Sequence, residues 1–72
     1  MPDQPHLLDA VALVTDLPDH GLVQGQVGTI VQFLSDDHAE VEFVDERGAT
    51  YALAPLPLKQ LIRLHYHRVQ AA

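Results

Sequence analysis

The fold is decided by the stretch Gln26 to Leu34, QVGTIVQFL, which has the strongest strand pattern in the chain. Alternation with a period of two residues is typical of a β-strand, and here it divides the side chains into two sets. One set is Val27, Thr29, Val31 and Phe33, and the other is Ile30, Gln32 and Leu34. Gly28 inside the strand indicates a bulge or a close crossing of two backbones.

A second strand follows after a four-residue polar turn. Ala39 to Val44, AEVEFV, alternates cleanly between apolar and acidic residues. The pattern predicts a half-buried antiparallel strand, with Val41 and Phe43 facing inward and Glu40 and Glu42 facing water. The two strands therefore form a hairpin.

A third strand is predicted to return along the second. The turn Asp45 to Gly48, DERG, ends on a glycine where a positive φ is common, and Ala49 to Ala54, ATYALA, places Tyr51 and Leu53 inward. Pro55 to Gln60, PLPLKQ, interrupts the ladder of hydrogen bonds at two prolines and suits a short 3₁₀ turn. The three strands form a meander that ends at this turn.

Two shorter strands flank the meander. Asp9 to Thr15, DAVALVT, has Val11 and Leu13 at period two and predicts a first strand, while Leu61 to Tyr66, LIRLHY, predicts a final one. Asp16 to Gly25, DLPDHGLVQG, contains one proline, two glycines and two turn-forming aspartates. We expect it to be a long loop, the kind of segment in which binding sites are common.

This order of elements predicts an all-β fold, a small five-stranded SH3-like barrel with a short 3₁₀ turn before the last strand. Residues 1–6 are expected to be a flexible leader, residues 7–66 the barrel and residues 67–72 a loose tail. Period two places ten apolar side chains inward as the core. They are Val11, Leu13, Val27, Ile30, Val31, Val41, Phe43, Leu53, Ile62 and Leu64.

Four segments resemble a family of short bacterial SH3-like proteins of unknown function: LLDAVAL (7–13), GQVGTIV (25–31), EVEFV (40–44) and YAL (51–53). The resemblance runs from about Leu7 to Leu64, and it implies the fold without implying an activity. The glycine pattern of GQVGTIV also resembles the KOW-type SH3-like domains of ribosomal proteins and transcription factors. That second resemblance implies nucleic-acid binding.

Length and composition limit the possible classes. A chain of 72 residues forms one domain, and the absence of cysteine removes disulfides and thiolate metal sites and indicates a reducing compartment. No apolar run approaches the roughly 18 residues of a membrane span, so we expect a cytoplasmic protein. A formal net charge of −6 disfavours nucleic acid and favours a basic protein partner.

Three groups of side chains have the residue types of a catalytic or metal site. Ser35 to His38, SDDH, holds the types of a hydrolase triad, but neighbours in one turn cannot align a nucleophile, a base and an acid. Glu40 and Glu42 resemble a glycosidase pair, yet a domain this small has little depth for a cleft. His65 and His67 share one side of a strand and lack a third ligand. We expect no metal, no cofactor and no enzymatic activity.

The long loop is the strongest candidate for a binding site. It combines apolar and acidic side chains, a mixture that suits a protein partner. The predicted partner-binding residues are Asp16, Leu17, Asp19, His20, Leu22 and Val23 of the loop, together with Glu40 and Glu42. The alternative is that Leu17 and Leu22 fold back over the mouth of the barrel as a lid.

The sequence therefore predicts a small non-catalytic protein-interaction module, or an accessory or antidote-like subunit, with a protein partner that is basic on grounds of charge. The alternative is a KOW-like nucleic-acid-binding domain, for which four scattered basic residues are few: Arg47, Lys59, Arg63 and Arg68. Open strand edges and a partly covered patch of leucines predict a homo-oligomer. The patch is Leu56, Leu58 and Leu61.

Overall fold

The computed structural model describes residues 5–64, which form one five-stranded antiparallel sheet without an α-helix in that range. The strands are β1 (Ala10–Leu13), β2 (Val27–Phe33), β3 (His38–Val44), β4 (Thr50–Pro57) and β5 (Leu61–Arg63), with 3₁₀ turns at Pro18–His20 and Leu58–Gln60. All five strands and the turn before the last one confirm the sequence prediction. The predicted leader lies partly, and the tail entirely, outside the described residues, as do the last two residues of the predicted final strand.

The strand order is β4-β3-β2-β1-β5, so β1 pairs with both β2 and β5. This order follows from two hairpins, which join β2 to β3 and β3 to β4, and from a last strand that returns to the far side of β1. The edges of the sheet are β4 and β5, and no pairing joins them across residues 5–64. The sheet is open, and its closure into a barrel stays a prediction.

At Gly28 in β2, the neighbouring strand β3 comes unusually close. A Cβ atom at this residue would lie 2.6 Å from Val41 Cγ1, 2.9 Å from the carbonyl oxygen of Glu42 and 2.9 Å from Phe43 Cε2. The predicted close crossing is therefore confirmed. The bulge in this strand lies elsewhere, between Ile30 and Gln32.

Gly28→Ala is expected to lower the free energy of unfolding by about 1–3 kcal/mol, because the added methyl group overpacks a buried position. Denaturant unfolding followed by circular dichroism measures the change. Gln32→Ala is the control on the same strand, since Gln32 is exposed and its truncation should change the free energy of unfolding by no more than about 0.5 kcal/mol. A Gly28 variant as stable as the wild type would show that β2 and β3 can move apart at this point without a loss of stability.

The core confirms half of the predicted positions: Val11, Leu13, Ile30, Val41 and Phe43 are buried. The prediction is wrong for Val27, Leu53 and Ile62, which are exposed, and for Val31 and Leu64, which are only half-buried. The buried positions that the alternation did not reveal are Leu22, Ala39, Ala54, Leu56 and Leu61.

The inward face of β4 explains the largest of these errors. Its buried residues are Ala54 and Leu56, opposite Val41 and Ala39 of β3, while Tyr51 and Leu53 are about half-exposed. The strand also continues through both prolines, which was not expected. An edge strand tolerates proline, because alternate N–H groups point away from the sheet and bond nothing in it.

The leucine patch that motivated self-association does not exist as a surface. Leu56 and Leu61 are buried, and Leu58 packs partly buried against the core. In residues 5–64 no helix is long and apolar enough to cross a membrane.

Candidate functional site

The loop between β1 and β2 is a structured excursion that closes on itself. The backbone N–H of Leu17 donates to the carbonyl of Leu22 over 2.8 Å, and Leu22 N–H donates back to Leu17 over 3.1 Å. Between them lies the turn Pro18–His20, followed by Gly21 with φ +68°. Glycine adopts this left-handed conformation at little cost, and so the chain can reverse there.

One of the loop's two leucines points into the core. Leu22 is only 1% exposed, and Leu17 packs partly buried beside the core cluster. The interpretation of Leu22 as an exposed contact for a partner is therefore wrong. The structure supports the other interpretation, in which the loop folds back over the core, because Leu22 belongs to the core cluster and Leu17 packs against it.

Two side chains fasten the second half of the loop. Asp16 Oδ1 accepts a hydrogen bond of 2.8 Å from the backbone N–H of Gln24, and Gln26 Oε1 accepts one of 2.6 Å from Val23 N–H. The side chains that remain on the surface are Asp16, Asp19, His20 and Val23. Four of the six predicted loop residues are thus accessible, and they sit on a loop held in one shape.

Glu40 and Glu42 lie on β3, on the side of the sheet that faces away from the core. We call this side the outer face. Both are half-buried, and Glu42 Oε2 accepts a hydrogen bond of 2.6 Å from Thr50 Oγ1 on β4. In the described part of the chain no hydrogen bond or ion pair joins these glutamates to the loop. The two groups of predicted site residues therefore remain separate surfaces.

The outer face also carries apolar residues that the sequence analysis assigned to the core. Ala12 of β1 lies directly between Ile62 of β5 and Val27 of β2. Ile62 is 53% exposed and Val27 is 45% exposed. Alternation divides the side chains of each strand between two faces, but it does not show which of the two faces is buried.

A small cleft of about 250 Å³ lies at the turn between β2 and β3, lined by Asp37, His38, Pro57 and Lys59. Ser35 Oγ donates to Asp37 Oδ1 over 3.0 Å, and His38 Nδ1 lies 2.9 Å from the same oxygen. These two hydrogen bonds, the His38 bond foremost, hold the pKa of Asp37 below its ordinary value. A triad needs the serine to bond the imidazole, whereas both groups here bond the carboxylate.

One ion pair ties the start of the described chain to the last strand. Arg63 Nε lies 3.0 Å from Asp9 Oδ2, which also accepts a 2.7 Å hydrogen bond from the backbone N–H of His6. The His6 bond is the main reason that the pKa of Asp9 is lowered, and Arg63 adds to the effect. Leu8, which lies between His6 and Asp9 in the chain, has φ +70°, a conformation unusual for a residue with a Cβ. Arg63 is therefore engaged within the fold.

His65 and His67, the two histidines considered as metal ligands, lie outside the described residues. Between residues 5 and 64 no group of three histidine, aspartate or glutamate side chains is placed to hold a metal ion. The fourth scattered basic residue, Arg68, also lies outside that range.

Comparison with known proteins gives one match. The family model of DUF4926, described as a domain of unknown function, matches residues 7–63. No curated protein and no solved structure matches the chain. The matched range contains all five strands and the loop between β1 and β2.

Proposed function

The chain belongs to the DUF4926 family, a domain of unknown function, and from that premise we propose that it is a small non-catalytic protein-interaction module for a basic partner. It acts as an accessory or antidote-like subunit in the bacterial cytoplasm. The observation that carries the proposal is the outer face, where half-buried glutamates lie beside exposed aliphatic side chains on a chain of net charge −6.

The proposed architecture is a partly open SH3-like barrel. Its support is the strand order β4-β3-β2-β1-β5, together with a 3₁₀ turn directly before β5. In such a barrel the inner face is filled by side chains, so a macromolecular partner can only be met by the loops and the outer face. The proposed partner-binding surface is therefore the outer face around Glu40 and Glu42, and the exposed loop residues form a second, separate surface.

Charge and apolar area have different effects on such a complex. Opposite charge accelerates the encounter of two proteins, and burial of apolar side chains slows their separation. Glu40 and Glu42 are suited to the first role because no basic side chain of the described residues forms an ion pair with either. Val27, Leu53 and Ile62 are suited to the second, since about half of each side chain is exposed.

The test is capture of host proteins on the immobilised chain, followed by binding of the purified partner at two salt concentrations. Raising salt from about 50 to about 500 mM shortens the Debye length from roughly 14 to roughly 4 Å and is expected to slow association. Replacing Glu40 and Glu42 together by glutamine should reduce the on-rate in the same way. The control carries Asp36→Asn and Glu46→Gln, which remove two charges from the turns.

A partner that binds equally well at both salt concentrations and to both double variants would contradict the proposal. Retention of RNA in place of a protein would favour the KOW-like alternative instead.

Homo-oligomerisation also stays a proposal, but the leucine patch is no longer the surface through which two copies would meet. On β4 the prolines Pro55 and Pro57 remove two N–H groups from the exposed edge, which disfavours strand-to-strand pairing there.

A further inference from the structure

On the outer face of β1 small side chains lie between larger ones on the neighbouring strands, and we call this region the trough. The two outward residues of this strand are Ala10 and Ala12, which have the smallest side chains that a strand can carry apart from glycine. On one side β5 carries Ile62 opposite Ala12, and on the other side β2 carries Val27 opposite Ala12. Because its side chain is short and those on both neighbouring strands are branched, the surface is lower at Ala12 than beside it.

The two strands that flank β1 are about as far apart as one α-helix is wide. Adjacent strands of a sheet lie about 4.7–4.9 Å apart, so β5 and β2 are separated by about 9.5 Å across β1. An α-helix with its side chains is about 10–12 Å in diameter. A helix lying along β1 would touch the alanines with its central apolar residues and the two walls with the flanking ones.

Negative charge lies on one side of the trough only, the side of β2 and β3. Glu42 lies in the row Ala10, Thr29, Glu42 across β1, β2 and β3, and Glu40 is the next outward residue on β3. Both are two strands away from the trough, within reach of a lysine or arginine on the flank of a bound helix. On the opposite side β5 presents Ile62 to the outer face, while its arginine, Arg63, lies opposite the buried Val11 and pairs with Asp9.

We propose that the trough Ala10, Ala12, Val27 and Ile62 binds an amphipathic α-helix of a partner protein, with basic residues on the flank that faces β3. This inference rests on the proposed function and gives the partner its chemistry. An added β-strand is the poorer fit, because β5 has three residues and β4 has two prolines at its edge. A second copy of the chain is also a poorer fit, since it would bring two molecules of charge −6 together.

The experiment uses two synthetic 18-residue helical peptides with the same leucine and alanine stripe. One has lysine at every flanking polar position and the other has glutamate. We expect the full chain to bind the lysine peptide at least about tenfold more tightly than the glutamate peptide, as measured by fluorescence anisotropy. Amide shifts in nuclear magnetic resonance spectra should map to β1, β2 and β5.

The decisive variant is Ala12→Leu, which fills the floor of the trough and is expected to weaken binding about tenfold or more. Ala49→Leu makes the same change at an exposed residue of the β3–β4 turn and should leave binding unchanged. A second variant, Val27→Thr, keeps the shape of one wall of the trough but makes it polar. It tests the same surface if Ala12→Leu does not fold. Thermal unfolding of each variant is measured beforehand.

Equal affinity of the wild type and both trough variants for the lysine peptide would overturn the inference, as would amide shifts confined to residues 16–25. Failure to bind either peptide would overturn it as well. In each of these cases salt-sensitive capture of a basic protein would leave the proposed function standing. A dimer that dissociates on Ala12→Leu substitution would instead assign the trough to a second copy.

Discussion

Phe43→Ala is expected to lower the free energy of unfolding by about 3–5 kcal/mol, the largest effect of any single truncation in this chain. Phe43 is fully buried on β3, faces Ala52 of β4 and packs its ring against Tyr51 at 6.3 Å between centroids. Small domains have little stability to lose, so the variant should be largely unfolded or should melt far below the wild type. Denaturant unfolding followed by circular dichroism measures it.

Leu53→Ala is the control for this prediction. Leu53 lies on the neighbouring strand but is 54% exposed on the outer face. A surface substitution of this kind changes stability by no more than about 0.5 kcal/mol. If Leu53→Ala were the more damaging of the two, β4 would present its other face to the core, as the alternation of its sequence suggested.

Leu22→Ala is expected to cost about 2–5 kcal/mol, because it leaves a cavity beneath the loop between β1 and β2. The side chain is 1% exposed and belongs to the same core cluster as Leu13 and Ile30. The backbone bridge between Leu17 and Leu22 should loosen as well. Hydrogen exchange of the Leu17 amide, which donates to Leu22, should therefore speed up by more than that of β3 amides.

The matched control is Val23→Ala, since Val23 is the adjacent residue and is 55% exposed. We expect wild-type stability for that variant. Wild-type stability for Leu22→Ala as well would mean that the loop opens away from the core in solution. The loop would then offer the exposed leucine that the sequence analysis assigned to partner binding.

The burial of strand β3 could be predicted residue by residue. In β3, apolar and acidic residues alternate without exception from Ala39 to Phe43, so only one face can be buried. In β2, Gly28 predicted a close crossing, and Val41, Glu42 and Phe43 occupy the space that a side chain would need. The local pattern was sufficient for β3 because the two faces of that strand differ strongly in polarity.

The pattern was insufficient where both faces of a strand are apolar. In β4 the sequence Tyr51-Ala52-Leu53-Ala54 offers the larger side chains to one face, and size alone favoured burying them. Pairing with β3 is what directs the smaller residues of β4 toward the core. Ala54 fits opposite Val41, in an interior already occupied by Phe43 and Ile30. The same uncertainty misassigned Val27 and Ile62, and with them the trough on β1.

The sequence by itself determined that this chain is all-β, where its strands lie and where it turns, because period-two alternation, glycine and proline act over a few neighbouring residues. Tertiary structure alone decided which apolar residues are core and which are surface. The choice depends on partners distant in the chain, such as Ile62 and Val27 across Ala12. The burial of Leu22 was decided in the same way, since a loop side chain becomes core only when an uncovered end of the sheet lies beneath it.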